Sequence, residues 1–75
     1  MSMTASPQTR QYARLMARTL LTRTTAYDAR ALMAGRIADD VVAGRSPHAD
    51  HVATYALLHR LVLLRQAQWR AQVAS

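Results

Sequence analysis

An all-α protein is the fold class this sequence predicts, and three observations predict it. Alanine, leucine, arginine and glutamine are frequent, and all are good helix formers. Glycine and proline occur only twice each, too few to turn the strands of a β-sandwich or barrel. Both prolines follow a serine, at Ser6-Pro7 and Ser46-Pro47, which is the cap and first-turn pair that opens a helix.

The chain therefore reads as one small domain, 1–75, with a disordered N-terminus over 1–6 and helices over about 7–22, 26–43 and 47–73. The first helix starts at the Ser6-Pro7 cap. At about 100° per residue, Tyr12, Ala13, Met16 and Leu20 fall on one side, with Arg10, Arg14 and Arg18 stacked on the opposite side. Its end is set by Thr19, Thr22, Thr24 and Thr25, because β-branched residues are poor in helix interiors. The threonines mark either a turn or a soft spot in one rod, so the architecture is a three-helix bundle or a long helical hairpin.

Thr25 to Asp28 reads as a capping box for the second helix, with the Asp28 carboxylate reaching back. Gly44 suits a left-handed cap at its far end. Its expected buried face is Tyr27, Ala31, Ala34, Ala38 and Val41, flanked by Ile37 and Val42. Most of that face is alanine, so a neighbouring helix can approach closely. Leu32 and Met33 fall on the other side, where Arg36 and Asp40 are placed to pair at i,i+4.

The third helix has two apolar stripes. Tyr55, Leu58, Val62, Trp69 and Val73 form one; Leu57, Leu61 and Leu64 form the other, with Thr54, Arg65 and Gln72 between them. A helix with two apolar stripes is sandwiched. If the first two helices cover only one stripe, three leucines stay wet, at about 1.5–3 kcal/mol each. A chain this short has a marginal core, and with no cysteine it has no disulfide or zinc–thiolate site to support it. The expectation is a homodimer that completes the bundle, with Tyr55, Leu58, Val62 and Trp69 as the self-interface.

Charge narrows the partners. The net charge is +6, and all ten basic residues are arginine, a usage that suits a GC-rich bacterial genome. A positive surface favours an acidic protein, nucleic acid or an anionic membrane. All four acids lie between Asp28 and Asp50, so both ends of the chain are purely basic. No apolar run is long enough to span a membrane. The N-terminus lacks the apolar core of a secretory leader, and its arginine- and threonine-rich character serves a capped helix better than a presequence. The expected location is the cytoplasm.

Catalytic chemistry is hard to assemble from this inventory. There is no cysteine, glutamate or lysine, and no serine lies in a Gly-x-Ser-x-Gly elbow. Two glycines cannot build a phosphate loop. His48, Asp50 and His51 cluster at the start of the third helix, and His51, Tyr55 and His59 recur every fourth residue. Tyr55 interrupts the only i,i+4 chelate, so no metal and no cofactor are expected. The sequence therefore predicts a non-enzymatic regulatory or adaptor protein that binds an acidic protein surface, with Arg10, Arg14 and Arg18 making the contact. The alternative is a small basic nucleic-acid-binding protein that tracks phosphates with the same arginine ladder. A surface-active amphipathic helix is a third reading, and the serine, proline and threonine caps suit it less well than a fixed fold. Arg60, Arg65 and Arg70, five residues apart, spread around their helix and add no second strip.

Overall fold

The computed structural model describes residues 6–74. They form three helices, α1 (Pro7–Leu21), α2 (Ala26–Val42) and α3 (Ala49–Ala74), with no strand among the described residues. The hairpin alternative is thereby set aside. The disorder expected over 1–6 lies, for residues 1–5, outside the described residues, and Ser6 has a definite role. Its Oγ accepts a hydrogen bond from the Thr9 amide at 3.2 Å and caps α1, with Pro7 as the first helical residue.

The threonine cluster does break the chain. Thr22 caps the end of α1, and its hydroxyl donates to the Thr19 carbonyl at 2.6 Å. Thr25 opens α2 by accepting from the Asp28 amide at 3.1 Å. The capping box itself is altered: Asp28 Oδ2 accepts from the Thr24 hydroxyl at 3.4 Å. Gly44 ends α2 with φ +78°. Its amide donates to the Val41 carbonyl at 3.1 Å and the Arg45 amide to the Asp40 carbonyl at 2.8 Å, the paired bonds of a Schellman turn. That turn carries Arg45 back over the helix end, where Nη2 and Nε donate to Asp40 Oδ1 at 2.8 and 3.2 Å. Asp40 therefore pairs with Arg45 and not with Arg36.

The start of α3 also differs from the expected one. Ser46 and Pro47 lie in non-helical backbone, and the helix begins at Ala49. His48 supplies the cap: its carbonyl accepts from the His51 and Val52 amides, and its Nδ1 from the Asp50 amide at 3.1 Å.

The helices run up, down and up. Arg10 and Ala13 of α1 lie beside Ala49–Arg60 of α3, and Leu21 lies beside Leu61, so α1 and α3 are parallel. Tyr27, at the start of α2, lines a hollow with Arg65 and Trp69, and Arg30, further along α2, bonds His59, earlier on α3, so α2 is antiparallel to both. α3 sits between the other two, which barely touch each other. This explains the paired stripes. Thr54, Leu58 and Val62 form the fully buried centre of α3, while Leu57 and Leu61 lean toward α1 and Tyr55 packs against the core. Thr54, expected between stripes, is buried because its hydroxyl is satisfied by the Asp50 carbonyl at 2.7 Å.

The core is thin. Ala17, Ala29, Met33 and Leu58 make its centre, with Leu20, Leu21 and Tyr55 packed around it. The expected face of α2 is wrong. Ala26, Ala29 and Met33 are buried, whereas Tyr27, Ala31, Ala34, Ala38 and Val41 are exposed. The two stripes lie roughly 120° apart. A methionine removes far more apolar area from water than an alanine, so the side that holds Met33 turns inward. On α1 the buried centre is Ala13 and Ala17, and Tyr12 is exposed. This shifts the ladder: Arg10, Arg14 and Arg18 flank the buried face on its α3 side and do not oppose it.

α3 has 26 residues against 15 and 17 in α1 and α2. It runs past them, and residues 67–74 are exposed throughout. No helix among the described residues is long and apolar enough to cross a membrane.

Candidate docking groove

The shifted arginine ladder borders a groove between α1 and α3. On the α3 side Ala49, Val52, Ala53, Ala56, Leu57, Arg60 and Leu61 follow one another at helical spacing along the surface that meets α1. Two adjoining hollows make up the groove. The lower, about 700 Å³, is lined by Arg10, Ala13 and Arg14 opposite Ala49–Arg60. The upper, about 470 Å³, is lined by Arg14, Ala17, Arg18 and Leu21 opposite Leu57, Leu58 and Leu61. Arg14 and Leu57 belong to both, so the groove is continuous. From Ala49 to Leu61 it is about 18 Å long, at roughly 1.5 Å per helical residue.

Its chemistry is one-sided. Alanine, valine and leucine make the floor, and four guanidiniums stand at the edges. No acid lines either hollow. None of Arg10, Arg14, Arg18 or Arg60 forms an ion pair among the described residues, where the salt bridges are Arg45–Asp40 and His48–Asp50. A cluster of unpaired cations beside apolar floor raises the local positive potential and attracts a carboxylate-bearing surface. Arg60 is the groove residue that sequence reasoning missed. Its signal was present: Ala49, Ala53 and Ala56 run at spacings of four and three, and Arg60 follows at four on the same side.

The expected self-interface is taken apart by the fold. Leu58 and Val62 have no exposed surface and cannot meet a second chain. Tyr55 is half-buried and stacks on His59, with ring centres 5.8 Å apart and planes 8° from parallel. Trp69 alone is open, at 65% exposed. It lies in a separate hollow with Tyr27, Arg65, Gln66 and Arg70. Two aromatic rings therefore stand beside two arginines there.

The histidines are used in packing and capping. The Arg30 guanidinium donates to His59 Nδ1 at 3.0 Å, which fixes the proton of the neutral ring on Nε2, and Arg30 also lies 5.9 Å from the Tyr27 ring centre. His48 and His51 have ring centres 5.3 Å apart, and His48 Nδ1 is 3.8 Å from Asp50 Oδ2. His51 Nδ1 is buried and has no hydrogen-bond partner among the described residues. Among the described residues no three histidine, cysteine, aspartate or glutamate side chains are disposed to hold a metal.

Comparison with protein-family models, curated proteins and solved structures finds no match to this chain.

Proposed function

We infer that this is a small, non-enzymatic regulatory or adaptor protein of the cytoplasm that binds another protein through the groove between α1 and α3. The observation that carries this reading is the apolar floor edged by four arginines that form no ion pair among the described residues. An amphipathic helix fits such a groove: its apolar face fills the floor and carboxylates on its flanks meet the guanidiniums. The apolar contact gives affinity, and the arginines steer the approach and fix register. The consequence for the partner is occlusion or recruitment. Self-association into a homodimer belongs to the same proposal, because much apolar surface remains open on a thin core.

Fluorescence anisotropy with a synthetic amphipathic helix bearing flanking glutamates tests the reading. Wild type should bind, and the triple variant R10A/R14A/R18A should lose most of that affinity while keeping its helical circular dichroism. Equal binding by both proteins refutes the arginine-edged site.

A second reading, nucleic-acid binding, is favoured by one feature, the hollow where Tyr27 and Trp69 stand with Arg65 and Arg70. Aromatic rings stack bases, and the arginines would neutralise phosphates. Affinity for mixed DNA and RNA that falls steeply with salt supports it. Absence of binding at low salt ends it.

A further inference from the structure

The outward side of α2 is the counterpart of the groove. Its apolar stripe, from Tyr27 through Ala31, Ala34 and Ala38 to Val41, is uncovered, with Tyr27 47% and Val41 60% exposed. Asp28 and Asp39 border that stripe, are exposed, and form no ion pair among the described residues. α2 is also the one helix in which acids outnumber arginines, three to two. The groove, by contrast, is lined by four arginines and no acid.

We propose that a second copy of this chain lays its α2 into the α1–α3 groove, with the Asp28 and Asp39 carboxylates among Arg10, Arg14, Arg18 and Arg60. Three matches support the pairing. Charge is complementary, and two copies of a chain with net charge +6 have no other acidic helix to offer each other. The middle of the α2 stripe is alanine and the lower part of the groove offers Ala13, Ala49, Ala53 and Ala56, so the two backbones can approach closely there. The lengths agree: Tyr27 to Val41 spans about 21 Å and the groove about 18 Å. Each copy carries both halves of the contact, so a pair closes when both halves engage and a longer series forms when they do not. The inference rests on the reading of the groove as a helix-docking site. It adds a regulatory consequence: self-association occupies the surface that an acidic partner needs, and the partner must displace it.

Sedimentation equilibrium on the full chain tests the proposal, over loading concentrations from about 10 μM to about 1 mM so that a weak contact is visible. Wild type should exceed the mass of one chain as concentration rises. R14E has a spoiled groove and an intact α2; D39R has the reverse. Each alone should sediment as a single chain. Their equimolar mixture should recover association, because an intact α2 then meets an intact groove. Both sites are exposed, and circular dichroism verifies that each variant remains helical. Wild type at single-chain mass throughout overturns self-docking and leaves the peptide-binding reading to its own assay. Association that neither substitution weakens, or a mixture that stays monomeric, also overturns it, and loss on Trp69→Ala would place the contact at the projecting end of α3.

Discussion

Leu58→Ala is the perturbation that most sharply separates the two stripes of α3. Leu58 is fully buried and packs with Ala17, Ala29 and Met33 at the place where all three helices meet. Two of the buried residues it packs with, Ala17 and Ala29, have no side chain that can move into the space. Truncation there should cost about 2–5 kcal/mol, counting both lost transfer energy and the residual cavity. A domain of this size has a total stability of roughly 4–11 kcal/mol. The variant should therefore lose a large fraction of its stability, and its melting temperature should fall by about 4–8 °C for each kcal/mol. Leu64 is the internal control: it is chemically identical, lies on the same helix, and is 55% exposed. Leu64→Ala should cost under about 1 kcal/mol, since most of its surface stays in water. Urea unfolding of the two variants, followed by circular dichroism, gives both values. If Leu64→Ala costs as much as Leu58→Ala, the helix is rotated from the orientation described and the groove assignment falls with it.

Other consequences are local. Gly44→Ala should destabilise by about 1 kcal/mol in a thermal melt, because φ of +78° is strained for a residue with a Cβ even though open space surrounds it. Thr25→Ala removes the cap of α2 and should cost about 1 kcal/mol by the same measurement. The Asp40 carboxyl is held below its ordinary value of 3.8, first by the hydrogen bond from Arg45. The stabilisation from that pair is present above the ordinary value and is lost as pH falls through the lowered one; NMR titration should show Asp40 moving back up in Arg45→Ala. Ala34→Leu should leave the monomer's unfolding free energy nearly unchanged, since Ala34 faces away from α3. A large loss would mean that the alanine face is internal after all.

Local signals in the chain were readable where backbone chemistry decides the outcome. The Ser6 and Thr25 hydroxyls and the αL glycine at 44 each satisfy helix-end groups within a few residues, so sequence proximity suffices to find them. The helical class and the double-striped third helix were readable for the same reason: they depend on period alone. What was not readable is how far each helix rotates about its axis. On α2 five small or apolar residues competed with Ala26, Ala29 and Met33, and counting residues favoured the wrong side. The volume of Met33 and the presence of two neighbours on α3 settled it. The same rotation carried Arg10, Arg14 and Arg18 from an outward face to the edge of the groove. It also gave Arg60 a place beside them, although its spacing from Arg65 and Arg70 pointed to no shared strip. The Ser46-Pro47 cap misled because the chain stays non-helical from Arg45 to His48, and His48 makes the cap instead.

The most direct measurement of the central claim is an amide chemical-shift map of the protein titrated with the glutamate-flanked helical peptide. Docking in the groove should move the resonances of Arg14, Ala53, Ala56, Leu57 and Arg60 together, while Trp69 and the middle of α2 stay still in the monomer. Shifts centred on Tyr27 and Trp69, or none in the α1–α3 groove at saturating peptide, would contradict it.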